Sequence, residues 1–137
     1  MTNIQLDVVE RAGRLCASST AKWEPLVGYS RAVRSGPFIA VTGTVGLEPD
    51  GGYAPTSGAQ ARRALAIIRA AVEALGGRME HVIRTRIFVT DISTWEQIGA
   101  AHAEVFSEIR PATTMVEVAR LIDAAALVEI EADAVVP

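Results

Sequence analysis

The densest group of reactive side chains lies near the C-terminus, where Glu129, Glu131 and Asp133 recur at every second residue. In an extended chain that spacing puts the three carboxylates on one face, with Val128, Ile130, Ala132, Ala134 and Val136 on the other. Carboxylates serve as general acids or bases where their surroundings tune them, and otherwise as plain sheet-face charges paired with cations. A face so charged cannot press into an apolar core by itself, because unpaired buried charge is too costly. Partners of the right sign are present in Arg84 and Arg86, which alternate with Ile83, Thr85 and Ile87 in another strand-like run. Cross-strand or intersubunit pairing of these arginines with Glu129, Glu131 and Asp133 is the expected use of both sets.

The remaining reactive groups are scattered. His81 and His102 have no second histidine at ligand spacing, so no metal site is expected. Cys16 is the single cysteine, which excludes an intrachain disulfide and a cysteine-based metal cluster, and nothing beside it would activate the thiol. Arg62, Arg63 and Arg69 fall off the apolar stripe of a helical segment, where a solvated face explains them better than an anion site. No Gly-rich phosphate loop and no Gly-x-Ser-x-Gly elbow occurs. The residues by themselves therefore assign no mechanism, and no cofactor is expected.

The elements that would position these groups read as follows. Tyr29–Arg34 and Phe38–Gly43 flank Ser35-Gly36-Pro37 and form a hairpin. Ser57 with Gln60 reads as a capping box before a helix carrying Ala61, Ala64, Leu65, Ile68, Ala71, Val72 and Leu75, stopped by Gly76-Gly77. Val82–Val89 is a strand. Thr94 with Gln97 repeats the capping pattern before a second helix through Phe106, which must end before Pro111. The last two strands, around Thr114–Val118 and Val128–Val136, read as a connected antiparallel ribbon. The order is ββαβαββ, an α+β fold with a mixed sheet and two helices on one face. The other face carries both charge and apolar residues, so it is expected to pack against copies of itself. Residues 1–27 show no clean period and are expected to form an N-terminal arm, with Ile4, Leu6, Val8 and Val9 as a possible edge strand; residues 28–137 make one domain.

Bulk composition bounds the function. The chain has 137 residues, half of them apolar, which suits one domain with its own core. Thirteen basic against sixteen acidic residues give a net charge of −3, which argues against a nucleic-acid partner. Charged residues at the N-terminus and the lack of a long apolar run argue against a signal peptide and a membrane span, so a cytoplasmic address is expected.

Pro111-Ala112, the alternating Val116, Val118 and Leu121, and Glu129-Ile130-Glu131-Ala132 resemble the closing signature of the Rid proteins, the reactive intermediate deaminases of YjgF type. Tyr29, Thr42-Gly43, Gln60, Val89-Thr90-Asp91 and Phe106 extend the resemblance over roughly residues 28–136. It implies a chorismate-mutase-like fold and a homotrimer with clefts between subunits for a small-molecule ligand. It also implies that Glu129 is the acid that activates water, that Tyr29 lines the pocket, and that Gly43 offers a backbone contact. Family deaminases hold the substrate carboxylate with an arginine directly after Pro-Ala, and here that position is Thr113. A threonine offers one hydroxyl and no charge. Arg110 and Arg120 are the nearby cations that could substitute, and Arg110, Thr113 and Met115 are taken with Tyr29 and Gly43 as substrate-binding positions. Gly99 stands where the family often has a polar pocket residue. The expected function is binding or transformation of a small metabolite other than the usual imino acids. An imine deaminase using another arginine and a non-catalytic ligand-responsive protein are the alternatives.

Overall fold

Strand β7 (Val128–Val135) is hydrogen-bonded on both sides, antiparallel to β4 (Phe38–Val45) and to β5 (Val82–Val89). Its Val128, Ile130, Ala132 and Ala134 are buried beneath the helices, while Glu129, Glu131 and Asp133 are half-buried on the opposite face. The alternation in the sequence thus maps directly onto two faces of a central strand. This computed structural model describes residues 4–137; residues 1–3 of the expected arm lie outside the described residues.

Among the described residues the sheet has seven strands in the order β1-β2-β3-β4-β7-β5-β6. Strands β1 (Asp7–Arg11) and β2 (Arg14–Ser18) form a hairpin within the segment read as an arm, and β2 pairs with β3 (Ala32–Ser35), so this segment continues the sheet. Its turn places both Ala12 and Gly13 at positive φ, 50° and 77°. Two-residue hairpins of this twist demand that geometry, which alanine adopts only with strain. A short helix α1 (Trp23–Val27) then leads into the β3–β4 hairpin.

Helices α2 (Ser57–Ala74) and α3 (Trp95–Phe106) pack on one face of the sheet and on each other. Ala61, Ala64, Leu65, Ile68, Ala71 and Val72 of α2 meet Ile39, Val41, Ile130 and Ala132 of the sheet in a single apolar core. From β3 onward the order is ββαβαββ, as the sequence implies. No helix of the described residues is long and apolar enough to cross a membrane.

The expected ribbon of the last two strands is not formed. Strand β6 (Ala112–Glu117) lies at the far edge, parallel to β5, and β7 sits on the other side of β5. The reason is the α3 crossover: a strand that returns through a helix to its neighbour runs parallel to it. The long segment 118–127 then carries the chain past β5 to the gap beside β4.

Both expected capping boxes are also replaced. Thr56, one residue earlier than read, caps α2 by accepting from Ala59 N at 3.2 Å. Gln60, fully buried, donates to the carbonyls of Ala54 and Ala125 and accepts from Leu127 N at 2.8 Å, tying the loop before β7 to α2. Gln97 does not serve its own helix: its Oε1 accepts from Gly58 N at 2.8 Å and so satisfies a free donor in the first turn of α2. Gln97→Ala is therefore expected to destabilise the protein by about 1 kcal/mol, a capping loss, read as a lower urea midpoint with an unchanged denaturant slope.

Candidate active site

Strand β4 is irregular between Val41 and Thr44, where its register against β7 shifts. Gly43 lies in that irregularity, and the Glu129 carboxylate lies directly over it. A Cβ built on Gly43 would stand 2.8 Å from Glu129 Oε2 and 2.9 Å from its Cδ. Only glycine leaves the carboxylate this room. Glu129 opens onto a cavity of about 600 Å³ walled by Trp23, Tyr29, Val45, Tyr53, Ile67 and Ile122, with Lys22, Arg31, Glu48, Arg63 and Asp123 as its charged members.

Burial pushes the Glu129 carboxyl above the ordinary carboxylate range, Arg31 opposes that rise, and Glu131 adds to it. A carboxyl that keeps its proton to higher pH while facing a cavity can both give and take one. Tyr53, across the cavity, is also raised, by burial and by Asp123 beside its hydroxyl, with a smaller contribution from Glu129.

Beneath Glu129 lies a polar cluster. The Arg31 side chain is only 6% exposed, yet each of its five N–H groups has a partner. Nε and Nη2 donate to Glu24 Oε2 at 3.3 Å, and Nη2 also reaches the Tyr29 hydroxyl at 3.5 Å. Nη1 donates to the Gly43 carbonyl at 2.9 Å and to Thr44 Oγ1 at 3.2 Å. Glu24, buried in α1, also accepts from Ser19 N at 3.0 Å and from the Ser19 hydroxyl. The guanidinium is thus consumed internally.

Of the expected site residues, the fold brings Tyr29, Gly43 and Glu129 to this one cavity. Arg110, Thr113 and Met115 do not line it within the chain. Arg110 precedes β6 at φ 54°, with its Nε donating to Ser107 O. Thr113, on the edge strand, is turned toward the helix layer: its hydroxyl lies 2.8 Å from Thr85 Oγ1, which in turn lies 2.9 Å from His102 Nε2. Burial lowers the His102 pKa and favours the neutral ring. Met115 packs at the margin of the core. A Cβ added at Gly99 would meet nothing within 4 Å.

The expected charge pairing holds for part of the set. Arg86 reaches Glu131 at 3.4 Å and Asp133 at 3.3 Å. Glu129 stands outside that pairing because its register partner on β5 is Phe88. Arg62 is ion-paired with Glu104 at 2.8 Å on the surface, in keeping with a solvated face. Arg63 departs from that reading: it lines the cavity, anchored by Nε to Leu47 O at 2.9 Å. Cys16 is a buried thiol of β2.

The sequence does not mark Glu24, Arg31, Tyr53, Arg63 or Asp123 for this site, to which the fold brings them. Arg31 carries no usable signal: at strand spacing it falls with Tyr29 and Val33, and Val33 lies through Ala40 on the outer face with Asp133, where a charge reads as ordinary.

Comparison with known proteins decides the family. The model of the endoribonuclease L-PSP family matches residues 19–136. The chain belongs to this family, that of the YjgF/RidA proteins. Rv2704 of Mycobacterium tuberculosis, a YjgF/YER057c/UK114 protein, is 49% identical with a TM-score of 0.83 over 90% of this chain and 99% of that one. The 2-iminobutanoate/2-iminopropanoate deaminase of Escherichia coli is 35% identical over 97 residues, 68% of this chain and 76% of its own. Escherichia coli TdcF, crystallised with bound serine, is 29% identical with a TM-score of 0.74, covering 80% of this chain and 88% of that one.

Proposed function

We propose that this YjgF/RidA protein binds and transforms a small metabolite at Glu129, with Glu129 as acid/base and Tyr29 and Gly43 shaping the cleft. The observation that carries this reading is the half-buried Glu129 carboxyl, lying on Gly43 and raised in pKa at the wall of a 600 Å³ cavity. A charge that serves only the sheet face would be paired as Glu131 and Asp133 are with Arg86. The serine bound to TdcF and the imine substrates named for the Escherichia coli deaminase set the size class of ligand.

In this reading the protein is a homotrimer. Thr113 lies on the edge strand, two strands away from β7 in the same chain, and this reading has it meet the Glu129 cleft of a neighbouring copy. The outer sheet face supports self-association: Phe38, 61% exposed, pairs with Val135, and Val116, 42% exposed, lies beside Phe88 on the same face as Glu129. Apolar groups interleaved with paired charge suit an interface better than open water. Sedimentation at micromolar concentration is expected to give a trimer, and a monomer would remove the shared cleft.

Ordinary 2-imino acid deamination is expected to be weak, because Thr113 supplies no cation for the substrate carboxylate. Loss of one charge-assisted contact costs about 1.5–3 kcal/mol, roughly tenfold to a hundredfold in rate. Thr113→Arg should recover part of that, measured as hydrolysis of 2-iminobutanoate generated in situ by a threonine dehydratase. A second reading, a genuine imine deaminase using another arginine, has Arg63 in its favour, since this cation lines the cavity with Glu129. Efficient turnover by the native protein, lost in Arg63→Met and not improved by Thr113→Arg, would select that second reading.

A further inference from the structure

We propose that Arg31, clamped by Glu24, is the positioning residue of the site: it fixes the β4 irregularity at Gly43 and thereby the seat of the Glu129 carboxylate. This rests on the reading that Glu129 does the chemistry. Three facts converge on it. The Gly43 carbonyl, which belongs to the residue under Glu129, is held by Arg31 Nη1 at 2.9 Å, and the neighbouring Thr44 hydroxyl by the same nitrogen at 3.2 Å. The Thr44 hydroxyl in turn donates to Thr42 O at 2.6 Å, so the residues on both sides of Gly43 belong to one network. Arg31 also reaches the Tyr29 hydroxyl, linking a second wall of the cavity to the same guanidinium.

The placement is costly and therefore informative. A guanidinium this deeply buried is tolerated only with a paired carboxylate and filled donors, and removal of one partner leaves an uncompensated charge. Glu24 meets that need from α1, itself anchored through Ser19. With every donor engaged, Arg31 has none to offer a substrate carboxylate. It is left to act on the site through geometry and charge, facing Glu129 across the Gly43 backbone.

The distinguishing experiment is a pH titration of the Glu129 side-chain carboxyl by 13C NMR, which needs no substrate. Other charged groups around Glu129 are Glu131 on its own strand, Asp123 and Tyr53 from the loops, Arg63 on α2, and Lys22 and Glu48 at the cavity wall. They are unchanged in all variants. In Arg31→Gln the Glu129 midpoint is expected to move up, because its favourable neighbour is gone. In Glu24→Gln it is expected to move down, since Arg31 is then no longer neutralised. Opposite displacements cannot come from loosened packing alone.

Should a single variant fail to fold, Glu24→Gln/Arg31→Gln removes both charges from the interior and remains measurable. There the midpoint is expected to rise, and the Gly43 amide resonance to shift, because Arg31 rather than Glu24 contacts this backbone. Arg31→Lys restores charge but cannot fork to Gly43, Thr44 and Glu24 together, so it should recover the midpoint while leaving the Gly43 amide displaced. An unmoved midpoint and an unmoved Gly43 amide in the folded double variant would overturn the proposal. That result is separable from failure of the functional reading, which would show as unchanged 2-iminobutanoate hydrolysis when Glu129→Gln is added to Thr113→Arg.

Discussion

In a Thr113→Arg background, Glu129→Gln is expected to lower imine hydrolysis by roughly 10²–10⁴-fold, the usual worth of a positioned acid/base. Glutamine keeps the shape of the side chain over Gly43 and removes only the titratable proton. Equal acceleration by Thr113→Arg with and without Glu129→Gln would instead assign Glu129 to the sheet-face charges. The same substitution should move stability in the opposite direction from activity. The folded protein holds the Glu129 proton at pH values where the unfolded chain, near the ordinary 4.5, has released it. In that window the native state binds more protons than the unfolded state, so stability falls as pH rises from the unfolded to the folded pKa. Above the window the penalty is complete, and below it is absent. Glu129→Gln should therefore leave the acidic urea midpoint nearly unchanged and raise the neutral one, as expected for a carboxylate whose burial is a cost to the fold. A lower midpoint at neutral pH would show that the charged form is favoured by its surroundings.

Gly46→Ala is expected to be the most disruptive single methyl in the chain. A Cβ at Gly46 would fall on the backbone of Gln60, 2.8 Å from its Cα and 2.9 Å from its carbonyl carbon, with its oxygen nearer still. Backbone in the first turns of α2 cannot step aside as a flexible side chain would. Gln60 also holds the Ala54 and Ala125 carbonyls and Leu127 N, so a shift there strains the entry to β7. Overpacking of this kind costs about 3 kcal/mol or more, seen as a lowered urea midpoint. Gly99→Ala, whose added Cβ meets nothing on a helix, is the matched control and should be neutral or slightly stabilising. Comparable losses in both would mean that glycine at 46 is not fixed by close approach.

Much of the fold was legible because two periodicities are clean. The alternation of Val128–Val136 gives the faces of β7, and the stripe from Ala61 to Leu75 gives α2. What could not be read is pairing. Nothing in β6 or β7 says that they are separated by β5, because each pattern reports faces and not neighbours. The capping boxes failed for a related reason: Gln60 and Gln97 have side chains long enough to serve distant backbone, and tertiary contacts claimed both. The hairpin β1–β2 escaped notice because Ala12 occupies a turn position that usually advertises itself with Asn, Asp or Gly.

The site divided along the same line. Resemblance groups Glu129, Tyr29 and Gly43, the fold brings all three to one cavity, and the close fit of Glu129 over Gly43 supplies a physical reason for the glycine. Arg31 and Glu24 are not legible because a buried ion pair joins two residues that look like ordinary surface charge until the chain is folded. Arg63 does lie off the apolar stripe of α2, but the loop carrying Leu47 and Glu48 rises beside that face and closes it.

The position of β7 also bears on how the molecule comes into being. The last strand in the sequence is the one that fills the gap between β4 and β5, and neither of those pairs with the other. During synthesis both edges stay open until residues 128–135 have left the ribosome, so most of the chain waits as unclosed halves with unpaired backbone. Closure then joins residues 84 to 97 positions apart at β4 and 39 to 52 at β5, and such non-local pairing is slow. Premature termination within that strand is accordingly expected to yield not a trimmed protein but a sticky one, a fitting substrate for holding chaperones.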